Sequence, residues 1–563
     1  MNYLDRYAQW CAADILDDVL AELESVRDND EELKGRFGCD LQFGTAGMRG
    51  IMGAGTNWLN RYTVRRAAQG MAAWLSTTNL PQKAAIGYDS RHNSKLFAEI
   101  CAVAFAEKGI HTYLYDRLAP TPMLSFAVRQ LQCGCGIVIS ASHNAGAYNG
   151  VKCYGPDGCQ MTDEPAAIVT ENISKIPYFV PESKSFDDYL QENMISYIGQ
   201  DMWEAYYQTV LSESISPQMI GTAGLNVVYT PLCGTGNEPV REILARMGVN
   251  VTVVKCQEDP DGDFKTCEYP NPETDAALNE SYKVADTNPC DVILGTDPDA
   301  DRVAIAVPCV GGYQKLSGNE LGCLLLDYIL KARTDLKNIP DGAIAVRSIV
   351  STPLADQIAK RHGITMKSVL TGFKYIGGEI LSLEERGETD KFLFGFEESC
   401  GYLKGTYARD KDAVVASMLV CELAANLKLQ GKTILDALNE LYAEYGYYLA
   451  SVKSIELTGS DAMEKAAKIL ADLRRSVPEF VGGVKVTVFN DYQSRVSRNI
   501  ETGTEMCIEL PKSNVIELIL GDRGSVIVRP SGTEPKVKYY YTAVGADKDA
   551  ANELLVAMKA QLG

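Results

Sequence analysis

Three times along this chain a helix-like segment stops at a glycine and a β-rich run follows at once. The copies are EKGIHTYLYD (107–116), RMGVNVTVVK (246–255) and RHGITMKSVL (361–370). Glycine suits the left-handed turn that ends a helix, and β-branched residues after it favour a strand. The glycines stand at 109, 248 and 363, so neighbouring copies lie 139 and 115 residues apart. Periods that long do not belong to a solenoid. They imply three similar α/β domains in tandem, each a mixed or parallel sheet covered by helices. At about 150 residues per domain the chain has room for about four. The fourth is the C-terminal stretch. A helix near 461–475 precedes the strand-like runs VKVTVFND, VIELILGD, SVIVRP and VKYYYTAV, and a helix from about 547 follows. Clustered strands with flanking helices read as an α+β domain. The expected domains are 1–206, 207–322, 323–447 and 448–563.

Within the first domain, residues 1–36 are polar and acidic with helical spacing, and read as a helical preface rather than a core element. Residues 61–76 carry Val64, Ala67, Ala68, Met71, Ala72 and Leu75 on one helical face. AAIGYD (84–89) reads as a strand. Asn93 or Ser94 then caps a helix that ends at Gly109.

Composition narrows the partners. With 54 basic and 74 acidic residues the net charge is −20. That argues against nucleic acid or an anionic membrane as a partner, and an anionic substrate would need a local basic site. The start MNYLDRYAQW lacks the basic and apolar regions of a signal peptide. No apolar run approaches the roughly 18 residues of a membrane span. The 16 cysteines are scattered, many inside apolar runs, which points to a cytoplasmic protein with reduced thiols. Cys133 and Cys135 have no second cysteine pair or histidine cluster beside them, so they are not read as a metal site.

Four stretches carry chemistry. In IVISASHNAGAYNGVKCY, the apolar run Ile137–Ile139 reads as a buried strand that delivers Ser140-Ala141-Ser142-His143-Asn144 to its carboxyl end, where open α/β sheets bind ligands. The G-x-S-x-G elbow is absent, and His143 is too close in sequence to Ser142 to be its base, so a serine hydrolase is not favoured. Next, Asp297, Asp299 and Asp301 in GTDPDADR stand at i, i+2 and i+4 between two apolar runs. On an extended segment they project to one side, where three like charges call for a hard cation such as Mg2+ or Ca2+. An EF-hand loop would need glycine at 302 and glutamate at 308, but the chain has Arg302 and Pro308. Third, GFEESCGY (395–402) sets carboxylates and a hydroxyl between glycines, a set able to hydrogen-bond sugar hydroxyls. Last, Arg529-Pro530-Ser531-Gly532-Thr533-Glu534-Pro535, followed by Lys536 and Lys538, reads as a phosphate cradle. Each stretch taken alone also reads as an ordinary polar turn.

Together and in this order, the four stretches closely resemble the α-D-phosphohexomutase family, which includes phosphoglucomutases and phosphomannomutases. FGTAGMRG (43–50) and TGFKYIGG (371–378) also fit, and the resemblance runs from about Gly38 to the C-terminus. It implies four domains around a central cleft, each giving one loop. On that resemblance Ser142 is a phosphoserine that donates and reaccepts a phosphoryl group. Asp297, Asp299 and Asp301, with Ser142, hold one Mg2+. Glu397 and Ser399 bind sugar hydroxyls. Arg529, Ser531, Gly532 and Thr533 hold the phosphate that is not reacting. Arg49, His143, Lys152, Arg302 and Lys374 line the reacting centre, with Lys152 as general acid/base. Many members carry arginine where Lys538 stands, and a lysine is a point charge rather than a fork. The implied activity is interconversion of glucose 1-phosphate and glucose 6-phosphate through a bisphosphorylated sugar, primed by glucose 1,6-bisphosphate. GFEES, SASHNAGAYNG and the extended N-terminus look most like the branch of bacterial α-phosphoglucomutases and eukaryotic phosphopentomutases. Pentose phosphate or mannose phosphate is the alternative substrate, and a non-catalytic sugar-phosphate-binding paralogue is the alternative class. The expected assembly is a monomer or weak homodimer.

Overall fold

A computed structural model describes residues 2–44, 47–457, 462–530 and 536–562, with the backbone alone at 462 and 463. The chain divides into two compact units. One comprises Met1–Gly318, Ile376–Gly395 and Ser399–Gly431; the other comprises Asn319–Tyr375, Phe396–Glu398 and Lys432–Gly563.

In the first unit, a six-stranded sheet runs in the order Gly47–Ile51, Tyr148–Tyr154, Cys135–Ile139, Lys83–Tyr88, His111–Tyr115, Ile195–Ile198. Lys83–Tyr88 pairs in parallel with both of its neighbours, whereas Tyr148–Tyr154 runs antiparallel to both of its own. Every residue of Cys135–Ile139 is buried. Its unbroken apolar run follows from helices covering both faces of the sheet. The second sheet is ordered Gly312–Lys315, Val303–Cys309, Val292–Thr296, Asn226–Thr230, Asn250–Val253. It too mixes parallel and antiparallel pairs.

The three repeated junctions form as the sequence implies. The helices Ser94–Ala106, Asn237–Arg246 and Leu354–Arg361 are followed by Gly109, Gly248 and Gly363 at φ of 73°, 80° and 70°. Each then yields a strand in parallel register with an earlier one, two in the first unit and Thr365–Val369 against Ile344–Ser348 in the second. A side chain at those φ values would be strained, which is why glycine recurs there. Asn93 sits at the start of its helix in the left-handed region and makes no side-chain cap, contrary to expectation. Ser94 instead donates to Asp89.

The N-terminal preface is also not what composition suggests. Its helices Tyr3–Cys11, Asp17–Ser25 and Asp30–Phe37 bury Trp10, Leu23, Leu33 and Phe37 with Ala54 in a core of their own. Trp10 meets Phe37, Tyr62 and Phe179 edge to face. Most of the acidic residues face outward, Glu22 and Glu32 turn to the buried Arg36, and a narrow apolar stripe is enough to build the cluster.

In the second unit, a seven-stranded antiparallel sheet runs Tyr447–Glu456, Lys536–Gly545, Gly524–Pro530, Ile516–Ile519, Val488–Asp491, Val496–Asn499, Glu505–Cys507. Ala466 and Leu470 of helix Ala462–Arg475, and Leu554, Leu555 and Met558 of helix Lys548–Gln561, pack into its core. This is the expected α+β domain. Among the described residues no single helix is long and apolar enough to cross a membrane.

Candidate active site

Ser142 lies past the carboxyl end of strand Cys135–Ile139, in the left-handed backbone region at φ 51°. A non-glycine residue there costs on the order of 1 kcal/mol and persists only where its surroundings hold it. Here they do. Ser142 N donates to Ser140 Oγ at 2.8 Å, and the guanidinium of Arg91 donates to the Ser142 carbonyl at 2.6 Å. The hydroxyl of Ser142 donates to Asp297 Oδ2 at 2.6 Å. Its single proton is thereby committed, so His143 Nδ1, at 3.1 Å from the same oxygen, is the donor of that pair. Burial, with the nearby Arg302 and Arg49 charges, holds the His143 imidazole well below its usual pKa, so it is neutral at pH 7.

Asp297, Asp299 and Asp301 are all buried. They do not alternate along an extended segment as expected. Residues 297–302 form a turn between antiparallel strands Val292–Thr296 and Val303–Cys309, with Ala300 at φ 51° and Ala300 N donating to Asp297 O. The turn gathers the carboxylates more tightly than a straight strand would, with candidate ligand atoms within 4.8 Å of one another. Lys152 Nζ reaches Asp299 Oδ2 at 2.5 Å and Asp301 Oδ2 at 3.1 Å. Thr121 Oγ1 also donates to Asp299 Oδ2, at 2.7 Å, and Lys411 Nζ lies 3.2 Å from Asp301 Oδ2. Arg302 pairs with Glu273 at 2.5 Å, and Arg49 donates to Asn144 Oδ1 at 2.8 Å.

The charges follow from these neighbours. Burial pushes the Asp297 carboxyl well above the carboxylate range, and Asp299 and Asp301 add to it. Burial pushes Asp299 up too, but the Lys152 ammonium outweighs it and holds that carboxyl well below the usual range. For Lys152 burial disfavours the charge, while Asp299 and Asp301 restore it and raise its pKa overall. Asp299 Oδ1 and Asp301 Oδ1 are buried with no hydrogen-bond partner. A bare buried carboxylate oxygen is costly unless a cation meets it. Three hard oxygen donors with two such atoms fit a divalent metal ion.

All of these residues lie in the first unit, as does half-buried Ser399, whose neighbour Cys400 accepts from Val303 N at 3.1 Å. Lys374, Glu397, Arg529 and Lys538 belong to the second unit. There Gly372 N donates to Glu397 Oε1 at 2.7 Å, and Lys374 stacks on Tyr375. Arg529 and Lys538 stand directly opposite each other on paired strands, with Ser454 opposite Lys538 on its other side. Residues so paired share one face of a sheet. Ser531, Gly532 and Thr533 lie outside the described residues. Sequence reading passed over Arg91, Thr121 and Lys411. Two of them sat in visible signals, Arg91 just past a strand end and Lys411 in the charged run ARDKD ahead of an apolar helix.

Comparison with known proteins accounts for this set. Four family models match in chain order: phosphoglucomutase/phosphomannomutase alpha/beta/alpha domains I, II and III over residues 40–178, 204–311 and 317–445, and the C-terminal domain over 485–561. A phosphoglucomutase of Staphylococcus haemolyticus (strain JCSC1435) is 37% identical over 509 residues, 90% of each chain. Among solved structures, the exocytosis-sensitive phosphoprotein pp63/parafusin, a phosphoglucomutase from Paramecium, shares the fold. Its TM-score is 0.67 at 16% identity, over 93% of this chain and 94% of that one. The N-acetylphosphoglucosamine mutase of Aspergillus fumigatus, solved with GlcNAc-6P and magnesium, gives 0.50 at 15% identity, over 93% and 96%. The chain belongs to the α-D-phosphohexomutase family, enzymes that move a phosphoryl group within a phosphosugar. Within that family it stands on the phosphoglucomutase branch.

Proposed function

We propose that Ser142 is the phosphoryl carrier of a phosphoglucomutase reaction, in which glucose 1-phosphate and glucose 6-phosphate interconvert through glucose 1,6-bisphosphate. In the first half, the free hydroxyl oxygen of the sugar monophosphate bonds to the phosphorus on Ser142 as the bond from Ser142 Oγ to phosphorus breaks. The net proton passes from the sugar hydroxyl to Ser142 Oγ. In the second half the bisphosphate presents its other phosphate, and the same bonds form and break in reverse. The bisphosphate also primes an unphosphorylated chain.

Lys152, kept protonated by Asp299 and Asp301, supplies a proton to the oxygen that leaves. Neutral His143 orients Ser142 Oγ through its Nδ1–H. Arg49 and Arg302 offset charge on the phosphoryl oxygens, since phosphoryl transfer depends on positioning and charge neutralisation. A divalent ion held by Asp297, Asp299, Asp301 and Ser142 would draw further charge from those oxygens, and Mg2+ suits the donor set. A magnesium-bearing solved relative supports that choice. Glu397 and Ser399 are assigned to sugar hydroxyls and Lys374 to the reacting end. Arg529 and Lys538, with Ser531, Gly532 and Thr533, are assigned to the other phosphate. The division at 206, 322 and 447 belongs to the same reading, as do a cytoplasmic location and a monomer or weak homodimer. The burial of ten of the sixteen cysteines supports the location.

The observation that carries the proposal is Ser142 itself, held in strained backbone with its hydroxyl on Asp297, in a cluster of carboxylates of which two buried oxygens have no hydrogen-bond partner. The test is a coupled assay on glucose 1-phosphate, mannose 1-phosphate and ribose 1-phosphate, with Mg2+ and catalytic bisphosphate, for wild type and Ser142→Ala. The expected result is a preference for glucose 1-phosphate that falls to background in the variant. Preference for ribose 1-phosphate or mannose 1-phosphate would move the substrate but keep the carrier. Full turnover by Ser142→Ala would remove Ser142 from the role.

A further inference from the structure

Arg91 has no part in the chemistry described above, yet it is the most densely bonded side chain around the serine loop. It is 3% exposed. One terminal nitrogen donates to Ala145 O at 2.8 Å and Tyr148 O at 2.9 Å. The other donates to Ser142 O at 2.6 Å and to Asn144 O. A guanidinium carries four N–H bonds on its two terminal nitrogens, and each one here meets a different carbonyl of one loop. Its Nε lies 3.4 Å from Asp89 Oδ2. Asp89 Oδ1 accepts from Arg91 N and from Ser94, and Ser94 accepts from Asn149 at the far end of the loop. The strand end at residue 89 is thus tied to both ends of the segment 140–149.

A second element closes over this clamp. The ring of Phe264, buried and at φ 49°, lies 4.9 Å from the Arg91 guanidinium carbon. Phe264 belongs to the loop after strand Asn250–Val253, in the domain that also supplies the three aspartates. A side-chain carbon at Gly146 would fall 2.7 Å from Gly262 O, so the glycine lets the two loops approach this closely.

We propose that Arg91 is a positioning residue for phosphoryl transfer. It holds the carbonyls from Ser142 to Tyr148 so that Ser142 keeps its left-handed backbone and its hydroxyl stays on Asp297, and Phe264 locks the guanidinium in that pose. The inference rests on Ser142 as carrier. Lysine cannot reproduce the effect, because one ammonium has three donors at a single point and cannot span four carbonyls.

The test compares wild type, Arg91→Lys and Phe264→Leu in kcat, KM and the stoichiometry of phosphate on Ser142, read by intact mass after incubation with glucose 1,6-bisphosphate. Circular dichroism reports folding. Misplacing a reacting group by about 1 Å costs on the order of a hundredfold in rate. For Arg91→Lys a kcat loss of about that size is expected, with KM within about twofold and slower priming of Ser142. For Phe264→Leu, which leaves the hydrogen bonds intact, a smaller kcat loss with unchanged KM is expected. A folded Arg91→Lys with near-wild-type kcat, or a KM rise at constant kcat, would overturn the proposal. If Arg91→Lys does not fold, Phe264→Leu decides alone: lowered kcat at constant KM supports the clamp, and unchanged kcat overturns it. Wild-type turnover without phosphate on Ser142 would instead bring down the carrier assignment and this inference with it.

Discussion

Lys152 is a buried lysine with its charge resolved by two carboxylates, Asp299 at 2.5 Å and Asp301 at 3.1 Å. Those contacts make it a good acid and a poor base, because neighbouring anions favour the protonated form. They also make it a competitor of any cation the carboxylates would hold. Two effects of opposite sign therefore follow for Lys152→Met. Turnover should fall by about 10²- to 10⁴-fold, the usual cost of losing a general acid. Affinity for Mn2+, measured by paramagnetic resonance without substrate, should rise, because a positive charge has left the triad. Near-normal turnover would remove Lys152 as the acid. Unchanged or weaker Mn2+ binding would mean that Lys411, 3.2 Å from Asp301, sets the charge of the site instead.

The N-terminal helices are joined to the first domain by more than chain connectivity. Glu22 accepts from Ala54 N at 3.1 Å and pairs with Arg36, and Arg36 lies over Trp58. Trp10 is 1% exposed and sits among four aromatic rings. Trp10→Ala should destabilise this segment by about 3–5 kcal/mol, the range for truncating a large buried aromatic. Native-state proteolysis should then cut within residues 1–37 well before wild type is cut there. Protection equal to that of wild type would mean the aromatic cluster contributes little. Sequence reading described these helices correctly and misjudged their burial. Helical spacing is a local property, but which face is covered depends on Tyr62, Tyr178 and Phe179 arriving from elsewhere.

For a chain of net charge −20, several cations are gathered in one place. Arg49, Lys152, Arg302 and Lys411 all stand beside the triad or the serine loop in the first unit. The thiols show the reverse pattern, since ten of sixteen are buried and none is in a disulfide. Burial raises their pKa, that of Cys133 to about 12, and a protonated thiol is a poor nucleophile. Ellman's reagent should therefore modify four thiols in the native protein, Cys39, Cys256, Cys309 and Cys507, the four that are exposed. Cys256 should be the slowest of them, because burial and the Glu280 charge push it up. The remainder should react only on unfolding. Fast reaction of eight or more would show that the buried set opens readily.

Much of the site was legible one stretch at a time. The buried strand before Ser142, the helix–glycine–strand junctions and the run of aspartates are patterns within about ten residues, set by side-chain type and local period. They carried the expectation of tandem α/β domains and singled out the Ser142 loop and the acidic triad, while the carrier role proposed for Ser142 came only from the resemblance of all four stretches together. They did not reveal that the aspartates meet through a turn, that Asp299 is paired by a lysine 147 residues earlier, or that Arg91 binds the loop 51 residues beyond it. In sequence, Arg91 is one more arginine after a strand. The tertiary structure decided those points, because the partner of a buried charge is chosen by what packing brings within about 3 Å and not by any nearby residue.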